Sequence, residues 1–555
     1  MPLGLLAGMS RQGNVDEQQL LRVSIELQPK ETGLDALAAQ IADPGNAMHR
    51  SPLTRDAFEA RFRRSPREIT SLARFLHSSG AADLYTSRSG LVVAGIFSVA
   101  QIERAFSTTF GRFALGDRIA VAPIRPLTVP FSGVRAVRGT VAITTPRLAD
   151  VPVSPNFTYF RGNWYPPDVF RQSYDAVLNG GRGERITLIE DASDRADPAD
   201  FELFTSGPGS PSGASPENVE EHSFAFKAPS SSCGRDDRGQ EPTLDVDAVF
   251  TLAPRAKINL DYDDVCSYGN DGTLALQRAL DATDPPTEIV FPFTVGNVNG
   301  TIAQSFGSTP IPLLEAAVLG VPVIAPAGDD GAYGMRLPGQ SAAAVTYPCA
   351  LPLVICAGGT QLGDRDTTID EALWNDGINA GGGGISAEPR PSWQDAPGGF
   401  EFSIGYAAAK HRIIPDVSAD ASGHLRIFWK GYGSGGVGGT SESAALVGAQ
   451  LAAINGAVPP AHRLAAPGDL YALARAAPGA YRDVARENDR GYNTNTLHLP
   501  PKPRPLGYRG IIATPPPLAN GCGAIQQNGC QVRPGYDAVT GIGSLKEQAA
   551  IDALR

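Results

Sequence analysis

The chain has 555 residues, 42% of them hydrophobic, and a formal net charge of −11. That is enough apolar material for two or more packed domains. So acidic a total argues against a nucleic-acid partner, and no apolar run approaches the roughly 20 residues that span a bilayer.

Along the chain, residues 20–28 alternate apolar and polar as a strand does. Ser51-Pro52-Leu53-Thr54-Arg55-Asp56-Ala57-Phe58 follows, with a helical pattern to about Arg63, then a second helix from Pro66 to His77 whose apolar face carries Ile69, Leu72, Phe75 and Leu76. Short strands are expected around Leu84 and over 91–96, and a further helix carries Val99, Ile102 and Phe106. Residues 1–154 hold 18 Lys and Arg against 13 Asp and Glu, net +5, which leaves −16 on the remainder. A basic front segment would be drawn to an acidic body at neutral pH and loosened as carboxylates take protons. Pro152-Val153-Ser154-Pro155-Asn156 reads as an exposed linker, which divides the chain into 1–155 and 156–555. Beyond it, Tyr165-Pro166-Pro167-Asp168 opens a helix ending near Tyr174. Apolar strands at 186–189, 258–260, 289–291, 321–325 and 354–357 then alternate with helical segments, the pattern of a doubly wound parallel α/β sheet. Pro- and Gly-rich stretches at 206–215 and 499–520 read as surface loops.

Three groups of residues carry chemistry. Gly438-Gly439-Thr440-Ser441-Glu442-Ser443 runs straight into an Ala-rich helix, which sets the Ser441 hydroxyl at a helix N-terminus where a developing negative charge is favoured. A serine nucleophile needs a base, and none of the seven histidines sits in a His-Gly-Thr setting at a helix start. Carboxylates are the better candidates. Glu241 and Asp245 lie four apart, on one helical face, where proximity lets a pair share a proton. A third acid, Asp329, ends the apolar strand in Ala327-Gly328-Asp329-Asp330-Gly331, at the strand end where open α/β sheets place their sites.

These pieces, in this order, resemble the sedolisin family of serine-carboxyl peptidases. Further similarity lies in Leu252-Ala253-Pro254-Arg255-Ala256-Lys257, in Gly358-Gly359-Thr360, in Gly381-Gly382-Gly383-Gly384-Ile385-Ser386, and in Arg412 with Pro415-Asp416-Val417-Ser418-Ala419. The resemblance implies a subtilisin-like catalytic domain behind a smaller α+β, ferredoxin-like prodomain of the pro-kumamolisin type. It implies that Ser441 attacks the scissile carbonyl, Glu241 takes its proton, Asp245 orients Glu241, and a protonated Asp329 donates to the oxyanion. The expected activity is an acid-acting endopeptidase made as a zymogen, a monomer acting on polypeptides and held by its own prodomain. The alternatives are a tripeptidyl-peptidase-type exopeptidase and a catalytically weak peptide-binding relative.

The family's calcium site is matched by Asp483 and Asp537, giving carboxylates, and by Val484, Arg533 and Gly535, giving backbone carbonyls. Hard oxygens from loops suit one calcium ion.

Three positions depart from the pattern. Glu442 replaces a small residue after the serine, and is expected to slow acylation or to select basic residues on the substrate's leaving side. Ala444-Ala445 lacks a proline, and Phe291-Pro292-Phe293-Thr294-Val295-Gly296 replaces a serine-rich strand. Among six cysteines, Cys522 with Cys530 and Cys233 with Cys266 could pair, whereas Cys349 and Cys356, inside apolar segments, read as buried thiols. Pairable cysteines and acid chemistry favour an extracellular or periplasmic home. The short Met1-Pro2-Leu3-Gly4-Leu5-Leu6-Ala7-Gly8 lacks the basic region and length of a signal peptide.

Overall fold

The computed structural model describes residues 11–115, 118–140, 142–144, 164–178, 180–207, 209–226, 239–265, 272–294, 297–298, 308–334, 343–363, 370–377, 379–395, 410–434, 437–488, 490, 492–496 and 530–555. In the front part, strand Leu20–Leu27 sends Leu21, Val23, Ile25 and Leu27 to one face, where they pack on Leu72, Leu76, Ile102 and Phe106. It pairs antiparallel with Val92–Ser98 on one side and Val134–Arg138 on the other, and Ala82–Thr86 adds beyond Val92–Ser98. Helix Pro66–Ser78 precedes the Ala82–Thr86 strand, and helix Val99–Ala105 follows Val92–Ser98. This is the split βαβ arrangement of a ferredoxin-like domain. Helix Pro66–Ser78 starts where it does because Ser65 and Glu68 form a reciprocal capping box and Pro66 needs no N–H donor at that position. Helix Leu34–Ala42 and the three-stranded sheet of Phe110–Leu115, Arg118–Pro123 and Ala142–Thr144 were not expected from the periodicity.

The other face of Leu20–Leu27 carries Arg22, Ser24 and Glu26, and it is buried too, because it meets the second domain. Leu34, Leu37, Ile41, Phe58 and Phe62 form one apolar cluster with Ile311, Leu314 and Val318 of helix Ile311–Leu319. Around it, cations of the front domain meet carboxylates of the body. Arg22 Nη2 lies 2.7 Å from Asp264, Arg50 Nε 2.7 Å from Asp469, His49 Nε2 2.8 Å from Asp469, and Arg55 contacts Glu315. The charge imbalance between the two parts of the sequence is thus spent in direct contacts. The linker at 152–156 lies outside the described residues, as do loop 499–520, Cys233, Cys266 and Cys522.

The body is built on an eight-stranded sheet ordered Glu371–Leu373, Val354–Leu362, Val323–Pro326, Glu288–Val290, Arg185–Asp191, Lys257–Asp263 and Val219–Ser223, with Val417–Asp420 also paired to Val354–Leu362. Every pairing is parallel except that of Glu371–Leu373. Side chains alternate across it as the pleat requires. Val290, Ile324 and Ile355 face the helices Gln240–Leu252 and Thr440–Asn455, while Ile289, Val323, Ala325 and Val354 face Thr273–Leu280 and Ile311–Leu319. Both faces are covered, which is why the strands read as continuous apolar runs. Cys349 and Cys356 are joined in a disulfide with Cα atoms 4.9 Å apart, not buried thiols, because the turn before Val354–Leu362 folds one segment onto the other. Cys530 is also disulfide-bonded.

Candidate active site

Glu241 stands in the first turn of helix Gln240–Leu252, and Asp245 one turn further along the same face. Both are buried, Asp245 completely. The helix starts at Gly239, whose φ of 90° puts it in the left-handed region and whose added Cβ would lie 2.1 Å from the Arg195 carbonyl. The Gly239 N–H donates to Asp194, which anchors this helix end to the loop after strand Arg185–Asp191.

Ser441 begins helix Thr440–Asn455, is 7% exposed, and follows a turn packed between two walls. On one side, a Cβ at Gly438 would sit 2.3 Å from the Gly423 nitrogen. On the other, a Cβ at Gly439 would meet Asp329 Oδ2 at 2.8 Å and Ser441 Oγ at 3.4 Å. Gly438, walled by backbone atoms, therefore requires glycine, and at Gly439 the Asp329 carboxyl and the Ser441 hydroxyl flank the same point. Asp329 is fixed there by the Thr440 N–H at 2.8 Å and the Thr440 hydroxyl at 2.7 Å, both donating to Oδ1. Thr440 Oγ1 in turn accepts from the Gly328 N–H at 3.0 Å. The helices of Glu241 and Ser441 pack side by side on one face of the sheet. Asp245 adds to the negative field felt by Glu442, next in sequence to Ser441.

Elsewhere in the body, the residues matched to a calcium site gather in one loop region. Asp483 Oδ2 accepts the Gly535 N–H at 2.7 Å, and Asp537 Oδ2 accepts the Arg533 N–H at 2.8 Å. Asp537 is fully buried, and Oδ1 also accepts from Val539, from the Thr540 N–H and from the Thr540 hydroxyl. Its recorded partners are backbone N–H groups and one hydroxyl, with no cationic side chain, and burial pushes its pKa up to about 7. A buried carboxylate without a counter-charge beside loop carbonyls fits a hard cation. Among the described residues no group of three or more His, Cys, Asp and Glu is placed to hold a metal, so carbonyls would have to complete the coordination.

Comparison with known proteins bears on this arrangement. The family model for the activation domain of pro-kumamolisin matches residues 7–145. Sedolisin of Pseudomonas sp. (strain 101) is 25% identical over 513 residues, covering 85% of this chain and 83% of that protein. Kumamolisin of Bacillus sp. (strain MN-32) is 34% identical over 223 residues, 39% of each. Over most of its length the chain is similar to sedolisin, and its front part matches an activation domain. A solved structure of Pseudomonas sedolisin, complexed with two molecules of pseudo-iodotyrostatin, superposes with a TM-score of 0.52 at 23% identity, covering 71% of this chain and 98% of that one, a likeness of fold. The comparisons accordingly point to a serine-type peptidase preceded by an activation domain.

Two further carboxyls lie in this region, one of them, Glu190, not singled out by the sequence. Glu190, at the end of strand Arg185–Asp191, is 1% exposed and feels the Asp245 carboxyl. Burial first, then the charges of Asp245 and Glu241, push its pKa well up, which favours its protonated form. Nothing local in the sequence marks it, since its partner arrives from a helix some fifty residues on. Glu442 corrects an expectation. It is wholly buried and points inward, its Oε2 accepting the Gly423 N–H at 3.1 Å, so it cannot meet a substrate's leaving side. A helix N-terminus favours an ionised carboxylate by about 0.3–1 kcal/mol, against several kcal/mol for burying the charge. Burial wins, reinforced by Asp420, and the Glu442 pKa is raised well above the usual carboxylate range.

Proposed function

We propose that the chain is the zymogen of an acid-acting endopeptidase that works through an acyl-enzyme at Ser441. Glu241 is the general base, Asp245 orients it, and Asp329 donates to the oxyanion together with the Ser441 N–H. The observation that carries this reading is the pairing of Asp329 and Ser441 around Gly439, with Asp329 locked by Thr440. A carboxyl so placed serves an oxyanion only while it holds a proton, because an ionised carboxylate cannot donate. Acid operation follows from that requirement. With no imidazole in the relay, ionised Glu241 accepts the serine proton and returns it to the leaving amine.

The activation domain is read as an intramolecular inhibitor, held by the apolar cluster around Ile311 and by arginine–carboxylate pairs, with release by cleavage between about 145 and 165. A calcium ion held by Asp483, Asp537 and the carbonyls of Val484, Arg533 and Gly535 would brace the loop that supports the Ser418 strand end, where Ser418 Oγ donates to the Thr540 carbonyl at 3.0 Å. Its chemistry there is structural charge neutralisation.

The test is turnover of an internally quenched peptide blocked at both ends, by full-length protein incubated in acid, beside Ser441→Ala. Wild-type cleavage with a maximum in acid, lost in Ser441→Ala, supports the proposal. Equal rates for the two proteins, or a maximum at neutral pH, overturns it. Activity only on peptides with a free N-terminus turns the reading towards an exopeptidase.

A further inference from the structure

Glu442 is the one carboxyl in the Ser441 helix's first turn, and the relay described above does not use it. It is fully buried, yet its Oε1 has no hydrogen-bond partner, which is a costly arrangement to keep without a return. Its other oxygen, Oε2, accepts from the Gly423 N–H, and the Leu425 N–H also bears on the carboxyl. That Gly423 nitrogen is the same atom against which Gly438 packs so closely that a Cβ there would stand 2.3 Å away. The Ala421 carbonyl lies 2.6 Å from that same position.

The connections close a ring. From Gly438 the chain passes through Gly439 and Thr440 into the helix; one residue beyond Ser441 a side chain reaches back to Gly423, and Gly423 packs on Gly438. The opposite wall of the turn is Asp329, tied to Thr440. Loop 421–425 carries a further load. The His424 carbonyl accepts the Tyr165 N–H at 2.7 Å, and the Arg426 N–H donates to the Tyr165 carbonyl at 3.0 Å, so the loop also ties down the first described segment after the linker.

We propose that Glu442 is a positioning residue of the acyl-transfer site: its carboxyl holds the 421–425 loop against Gly438, and so fixes the turn that aims Ser441 and its N–H. The inference rests on the peptidase reading above and adds to it a residue that touches neither substrate nor reacting atoms. The groups whose charge Glu442 feels are Asp420, at the end of strand Val417–Asp420, and Asp245, on the helix of Glu241. Asp420 Oδ2 likewise lacks a hydrogen-bond partner.

Two variants separate positioning from bulk stability. Glu442→Gln keeps the shape and an acceptor for the Gly423 N–H; Glu442→Ala removes the acceptor and leaves that N–H buried. Steady-state kinetics in acid on the quenched peptide, corrected for folded fraction by circular dichroism, should show Glu442→Ala losing about tenfold or more in kcat with KM within about twofold, since small misplacements of a reacting group act on the chemical step. Glu442→Gln should return kcat to within about threefold of wild type. An active wild type with an equally active Glu442→Ala overturns this inference alone. So does a Glu442→Gln as impaired as Glu442→Ala. An inactive wild type overturns the peptidase reading and takes this inference with it.

Discussion

Arg22 offers a direct test of how the activation domain is held. Its guanidinium is completely buried, with Nη1 2.7 Å from Asp83 of its own domain and Nη2 2.7 Å from Asp264 of the body, whose side chain is also completely buried. Replacing Arg22 by Leu removes the guanidinium that Asp264 faces in the interface, while the Phe226 N–H still donates to its carboxylate. Breaking a buried pair from one side costs about 3–5 kcal/mol, whereas removing both charges together is often close to neutral. Made in a Ser441→Ala background at pH 7, Arg22→Leu should therefore weaken docking by about a hundredfold or more. The double variant Arg22→Leu/Asp264→Leu should recover most of that loss, a non-additivity that defines direct contact. Hydrogen exchange of the Leu20–Leu27 amides reads the opening of this strand locally, without requiring two-state unfolding of a two-domain chain. With Ser441 restored, Arg22→Leu should also convert to mature enzyme sooner on acidification. Protection within about threefold of the parent, or a double variant whose loss equals the sum of the single losses, would refute the claim that this pair holds the domain.

Asp329→Ala should lower kcat by about 10²–10³, the usual loss for one oxyanion donor. Asp329→Asn, which donates at any pH, should move the alkaline limb of the profile upward; unchanged limbs would exclude Asp329 as the donor. Glu288 is fully buried, neither oxygen has a hydrogen-bond partner, and burial raises its pKa well above normal. A raised folded pKa contributes stability that is complete below about pH 4 and is lost as pH climbs through the folded value. Glu288→Gln should therefore raise Tm at pH 7 and leave it unchanged at pH 4; an equal change at both would contradict the sign. Exhaustive chelation should lower Tm, and calcium alone should restore it, if the Asp483–Asp537 loop binds the ion; an unchanged Tm removes that proposal.

Much of the site was legible because its chemistry is written in contiguous residues. Gly438-Gly439-Thr440-Ser441 needs Gly438 for close approach, and Glu241 and Asp245 share a face by helical spacing alone. Asp329 was legible from the apolar strand before it. What was hidden depends on long-range packing. Glu190 ends a strand that, in the sequence, looks like any other; only the helix laid over it makes it Asp245's partner. Arg22 occupies an alternating position that reads as a solvent face, and it is buried by a residue 242 positions away. The Cys349–Cys356 bridge was missed because apolar surroundings suit a thiol and a disulfide equally, and only the turn geometry separates the two. Glu442 reads as a first-turn acid facing outward, which is where helix N-termini usually carry one, but the loop at 421–425 closes over it.

The buried acids also constrain one another. Glu241, Asp245 and Glu190 lie close enough for the charges of the first two to raise the third, and Asp245 and Asp420 do the same to Glu442. In a water-poor interior such a set cannot carry a negative charge on every member. Protons must therefore be distributed among them, and the two helix N-termini at Gln240 and Thr440 favour leaving the remaining charge at the mouths of those helices. Deeper positions, Glu190 and Glu442, take the protons. On the reading proposed above, the carboxyl that acts as base is Glu241, at the mouth of its helix and the most exposed of the four at 6%. The proposed relay would thus take its direction from burial and helix position together: Glu190 and Glu442 hold protons, and Glu241 gives and takes one.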